Sequence, residues 1–131
     1  MTGLAIAFPP ILLIRVTIAA VWLYEGLWCK LLNRMPSQAD VVAAVPLLGH
    51  RFGAAFLKLL GALEVVIALW VLSGLAPAVC AITQAALLLT LNLNGILWAR
   101  HKIHDPAGMV LKNAAFLMLV WIAGVAPPSK P

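Results

Sequence analysis

A chain of 131 residues that is 64% hydrophobic and only 10% charged, with a mean hydropathy of +1.05, cannot present the polar surface that a small soluble domain needs. Its apolar residues gather in long runs, which places it among membrane proteins in contact with the lipid bilayer. The formal charge of +5 is spread too thinly for a nucleic-acid footprint, so no nucleic-acid partner is expected.

Four apolar stretches approach or reach the roughly 20 residues that cross the hydrocarbon of a bilayer. They run over 11–32, 52–75, 78–98 and 107–125. In lipid every backbone group needs an internal partner, so all four are predicted as helices. The first continues into further spans and offers no small-residue cleavage site, so it is not read as a removable signal peptide. Pro9-Pro10 precedes it, Gly74 and Pro77 bracket a tight turn between the second and third, and Pro127-Pro128 ends the fourth. Between the first two lies PSQADVVAAVPLLGHR, residues 36–51, where Ser37 and Asp40 resemble a capping box before a short apolar run. That segment is predicted as a short helix at the membrane interface. The expected fold is all-α: a single domain over 1–131 built as a four-transmembrane-helix bundle.

GLWCK (26–30) echoes GILWAR (95–100), and LK followed by LWVLSGLAP echoes LK followed by VWIAGVAP. If this reflects duplication, the first and third helices are equivalent. Cys29 and Cys80 fall near opposite ends of the bundle, so no disulfide is expected between them. The first and third loops carry Lys30, Arg34, Arg51, Arg100 and Lys102, against Lys130 and the nearby Arg15 on the other side. The positive-inside rule then puts these two loops in the cytoplasm and both termini outside.

Polar residues within the spans collect in the half nearest those loops. Glu25 and Lys30 end the first span, Lys58 and Glu64 occupy the second, Asn92 and Asn94 approach the end of the third, and Lys112 and Asn113 begin the fourth. Arg15, Thr83 and Gln84 lie towards the opposite face. Lys30 and Lys58 are long enough to snorkel to water. Glu64, flanked by GAL and VVIALW, is not. It must be neutral, face water, or pair with a cation such as Lys112 or Lys58. Glu64 is the leading functional candidate, and Glu25 shares its difficulty in milder form.

The stretch HKIHDPAGMVLKN (101–113) concentrates ionisable groups at the third loop. Asp105-Pro106 reads as an N-cap followed by proline at the first helical position. His101 and His104 stand three apart, so a helical extension of the third span would align them. Such a pair, with nearby carboxylates, suits a transition metal, although interfacial histidines need no metal. The start of the fourth helix also aims N–H groups towards Lys112 and Asn113. An anion or carbonyl would be held there, and a quinone headgroup would fit. Asp105 and Asn94 join Lys30, Lys112 and Asn113 as candidate ligand-binding residues. Glu64, Glu25, His101 and His104 are the candidates for proton exchange. The tryptophans, Trp22, Trp28, Trp70, Trp98 and Trp121, read as belt or packing residues.

Three segments together resemble the DoxX-like membrane proteins. VWLYEGLWCK (21–30) is similar to that family's opening signature, LGALEVVIAL (60–69) to its second span with an embedded glutamate, and DPAGMVLKN (105–113) to the start of its fourth. The resemblance covers most of the chain in order and rests on Lys30, Glu64, Pro106 and Asn113; Glu25 and the two histidines are not part of it. It implies a four-helix protein of the bacterial cytoplasmic membrane. The family's name derives from a membrane subunit of a thiosulfate:quinone oxidoreductase, and other members are linked to membrane redox enzymes. Some resemble C-terminal appendages of short-chain dehydrogenase-like domains, an arrangement with a cytoplasmic N-terminus, opposite to the charge count here.

Two functions are therefore weighed. One is an integral subunit of a quinone-linked redox system, with a ligand site in one leaflet and a partner oxidoreductase subunit carrying the electrons, since no haem, flavin or iron–sulfur motif is present. The other is a non-enzymatic anchor, scaffold or assembly factor whose polar core is glue between helices. A small transporter or proton path is a third and weaker reading, because no polar line joins the loop-side groups to Arg15 and Gln84. A homo-oligomer could supply such a line, and the small residues Gly53, Ala54 and Gly61 would permit close contact between helices.

Overall fold

The computed structural model describes residues 10–32, 40, 41, 43, 44, 46 and 49–125, with the side chains of 49–51 excepted. All its regular structure is helical. Helix α1 spans Ile11–Leu23 and runs on, without a break, as a π-helix over Tyr24–Leu31. Helix α2 spans Gly49–Ser73, α3 spans Pro77–Ala99 with a 3-10 turn at Arg100–Lys102, and α4 spans Pro106–Val125. Four spans, Ile11–Leu31, Phe52–Ser73, Pro77–Lys102 and Pro106–Val125, are long and apolar enough to cross a membrane. The helices predicted from the apolar runs are thus present, with ends displaced by a few residues. Between α1 and α2, Asp40, Val41 and Ala43 are helical. Ser37 of the predicted capping box, Arg34, Lys130 and both terminal proline pairs, Pro10 excepted, lie outside the described residues.

The helices form two hairpins. Helices α1 and α2 pack on each other, α3 packs on α4, and the hairpins meet through α1 with α4 and α2 with α3. A common core of Ile18, Trp22, Ile67, Val71, Leu88, Phe116 and Val120 fills the centre. The outward positions are large and apolar as well: Leu59, Val66 and Leu69 of α2, Leu89 and Leu93 of α3, and Leu111 and Met118 of α4 are all exposed. A protein in water would collapse such a surface, whereas in lipid it is the natural exterior. The apolar character all round each helix is why hydropathy marks the spans but does not mark their inner faces.

Within a membrane, apolar burial gives little preference for helix against helix, so close packing and polar contacts must hold the bundle. In the α1–α2 hairpin the close packing centres on Gly26 and Gly61. A Cβ added to Gly26 would lie 2.6 Å from the Gly61 carbonyl oxygen, and one added to Gly61 would lie 2.8 Å from the Gly26 oxygen. In the α3–α4 hairpin, Gly124 lies against Ala81 in the same manner. The α2–α3 turn uses Gly74 at φ +71° and Ala76 at φ 43°, and Pro77 then occupies the first position of α3. Cys29 and Cys80 are both buried and free, the first in the last turns of the first span and the second in the first turn of the third.

Candidate functional site

The site begins with the winding of the first span. In an α-helix, residues five apart lie about 140° from each other around the axis. The π-helical stretch Tyr24–Leu31 closes i→i+5 hydrogen bonds instead, of which Leu32 N–H to the Leu27 carbonyl, at 2.9 Å, is the last. That winding brings Glu25 and Lys30 to one side of the helix. The Lys30 ammonium lies 3.4 Å from Glu25 Oε2 and donates to the Glu25 carbonyl oxygen at the same distance.

Lys30 then points into the bundle. Its Nζ stands 3.1 Å from both carboxylate oxygens of Glu64. The contact is possible because Gly61, one turn before Glu64, has no side chain: a Cβ there would come within 2.8 Å of the Lys30 Cβ. Only 7% of Lys30 and 1% of Glu64 is exposed. Two expectations are corrected here. Lys30 does not snorkel, because an inward carboxylate pair offers its ammonium partners that outward lipid does not. The cation for Glu64 is Lys30 rather than Lys112 or Lys58; Lys58 is exposed on the outer face of α2. A buried carboxylate desolvated without a partner would be costly, and the direct pair offsets that cost.

The second hairpin supplies a neutral counterpart. Asn113 Nδ2 of α4 donates to Asn92 Oδ1 of α3 at 2.9 Å, and Asn92 Nδ2 donates to the Leu88 carbonyl at 2.8 Å. Deeper in, Trp22 Nε1 donates to Gln84 Oε1 at 2.7 Å, and the Trp22 ring meets Phe116 edge-on with centroids 5.6 Å apart. Gln84 spends its own amide on the Cys80 carbonyl at 3.2 Å. Trp22 is thus a packing residue that ties α1 to α3 and α4.

Between the hairpins lies a cavity of about 700 Å³. Its polar wall is formed by Glu25, Lys30, Glu64, Asn92, Lys102, His104, Asp105, Lys112 and Asn113. Its apolar wall includes Trp22, Leu57, Leu60, Leu88, Leu91, Met109 and Phe116, and Val41 of the segment between α1 and α2 reaches it as well. Most of the residues singled out from the sequence therefore share one space. Two do not. Asn94 faces away from the cavity and spends its amide on the Thr90 carbonyl at 2.9 Å. Asn92 stands in its place, and its spacing from Gln84, Leu88, Gly95 and Ala99, all buried, is the helical signal that separates the two asparagines. His101 lies exposed in the 3-10 turn, outside the cavity wall.

The helical extension expected to align His101 with His104 ends at Lys102, because Ile103 is extended (φ −96°, ψ 124°). Among the described residues no group of three or more His, Cys, Asp or Glu side chains stands close enough together to hold a metal. Asp105 caps α4 as its position suggests: Oδ1 accepts from Gly108 N–H at 3.0 Å, and Pro106 fills the first helical position. At the far end of the bundle, Arg15 lies against Gly74 and borders, with Cys80 and Gln84, a separate void of about 20 Å³. Of the small residues considered for contact between copies, Gly61 is spent on Gly26 and Gly53 is buried, which leaves Ala54 facing outward.

Comparison with curated proteins and with solved structures gives no match. The model of the DoxX-like family matches residues 19–121, a stretch that contains every residue of the cavity wall. This multi-pass membrane protein belongs to the DoxX-like family.

Proposed function

We propose that the protein is an integral subunit of a quinone-linked redox system in the bacterial cytoplasmic membrane, with its first and third loops in the cytoplasm. The observation that carries this reading is the cavity of about 700 Å³ in the loop-side half of the bundle, within the size range of small-molecule sites. Its apolar wall suits a lipophilic ring and tail. Its polar wall suits carbonyl oxygens: Asn113 Nδ2 keeps one proton beyond the bond to Asn92, and the Lys112 ammonium borders the same space. Glu25, Lys30 and Glu64 form a continuous chain of ionisable groups from the partly exposed Glu25 to the buried Glu64, along which protons exchange with the ligand. His104 exchanges protons with water at the loop. A partner oxidoreductase subunit supplies the electrons.

The test is a titration of the purified protein in mild detergent with a short-chain benzoquinone, followed by native mass spectrometry. Stoichiometric binding is expected, weakened about tenfold in Asn113→Leu. Absence of binding, or binding indifferent to Asn113→Leu, would contradict the assignment.

One observation favours the anchor or scaffold reading. Lys30 with Glu64, Trp22 with Gln84 and Asn113 with Asn92 each find a partner on another helix, as structural glue would. On that reading the same variants change stability or partner capture and leave no ligand to lose.

A further inference from the structure

The two ends of the cavity differ in how their charges are used. Inside, Glu25 and Glu64 share Lys30. Near the loop, Asp105 is occupied with the Gly108 N–H at the start of α4. Lys102 and Lys112 also border the cavity, and neither forms an ion pair or a side-chain hydrogen bond with a described residue. His104, two residues after Lys102 on the same loop, is likewise without a side-chain hydrogen bond to a described residue and borders the same space. Below this rim one wall is apolar, through Leu57, Leu60, Leu88, Leu91 and Phe116, while the polar groups that share the space, Lys30 with Glu64 and Asn92 with Asn113, are paired with each other.

A space with a cationic rim at the membrane surface and an apolar wall running inward, opposite the already paired Lys30 and Glu64, matches an amphiphile with an anionic head. We propose that the cavity accepts a single-chain lipid acid, its carboxylate between Lys102, His104 and Lys112 at the loop end and its hydrocarbon chain between the two hairpins. Charge complementarity selects the acid over a neutral lipid, because charge-assisted hydrogen bonds from ammonium to carboxylate are stronger than those to a hydroxyl or ester. The cavity of about 700 Å³ is within the size range of a site for one small molecule, which suits a single chain. Lys112 lies in the second turn of α4, just below the loop, so its ammonium can follow the headgroup at the depth where acyl carboxylates sit. This inference uses the same cavity as the proposed redox function and does not require a quinone.

The experiment is native mass spectrometry of the intact protein in a mild non-ionic detergent, titrated separately with oleic acid, oleyl alcohol, phosphatidylglycerol and a short-chain benzoquinone. Oleic acid is expected to bind one to one and oleyl alcohol at least about tenfold more weakly. Lys102→Gln combined with Lys112→Gln is expected to abolish the difference between acid and alcohol. Both lysines are exposed, so the variant keeps the packed core, which a far-UV circular dichroism melt checks. Equal binding of acid and alcohol, or a preference unchanged in the double variant, would overturn the proposal. So would lysine-dependent binding of phosphatidylglycerol without oleic acid, which would make the rim a phospholipid contact. Quinone binding without oleic acid binding overturns this inference and leaves the redox reading standing. Binding of none of the four overturns both.

Discussion

Gly26 and Gly61 face each other so closely that a methyl group on either would press into the other's carbonyl oxygen, at 2.6 and 2.8 Å. The Lys30–Glu64 pair depends on this approach, since one glycine precedes each partner by about one turn. Gly26→Ala is expected to push α1 and α2 apart and destabilise the protein by about 1–3 kcal/mol, the usual cost of overpacking. Unfolding in mixed micelles measures it. Ala54→Leu, on the lipid face of α2, provides the control and is expected to be nearly neutral.

Lys30 and Glu64 should respond unequally to mutation. Lys30→Met leaves a carboxylate that is 1% exposed without its cation, at a cost of about 3 kcal/mol or more. Glu64→Gln leaves Lys30 with Glu25 still 3.4 Å away and should cost clearly less. Adding Glu64→Gln to Lys30→Met is expected to recover part of the lost stability. Strictly additive effects in this double-mutant cycle would show that the two side chains do not interact.

Gln84→Leu removes the acceptor of the Trp22 indole N–H. An orphaned buried donor costs about 1–3 kcal/mol, and unfolding followed by tryptophan fluorescence reports it. Trp22→Phe in the same chain removes the donor too, so the double variant is expected to be more stable than the sum of the two single changes allows.

Asp105 can be tested for capping against ligand contact. If its carboxylate serves α4 through Gly108, Asp105→Ala costs about 1 kcal/mol. Asp105→Ser restores most of that loss, because serine also caps helices. Ligand affinity should follow stability in both variants. An affinity lost in Asp105→Ser at full stability would assign Asp105 to the ligand.

The number and placement of the helices were legible because hydropathy depends only on each residue's own character. The pairing inside the bundle was not. An α-helical wheel separates Glu25 from Lys30, and only the π-helical winding of Tyr24–Leu31 brings them together and turns Lys30 inward. Proximity of Gly26 to Gly61 is likewise a property of two helices, invisible in either alone. Asn92 and Asn94 look equivalent until α3 is given a buried face. His101 and His104 parted because Ile103 is extended, a backbone choice that their spacing does not encode. Asp105-Pro106 was readable because capping is local chemistry.

The most direct test of the cavity as a binding site in which Glu64 takes part is to purify the intact protein and its Glu64→Gln variant side by side in mild detergent and record native mass spectra with elemental analysis. The expected result is a small molecule retained in stoichiometric amount by the wild type and lost from an equally folded Glu64→Gln. An empty wild type that takes up no added ligand, or a ligand held equally by both proteins, would contradict it.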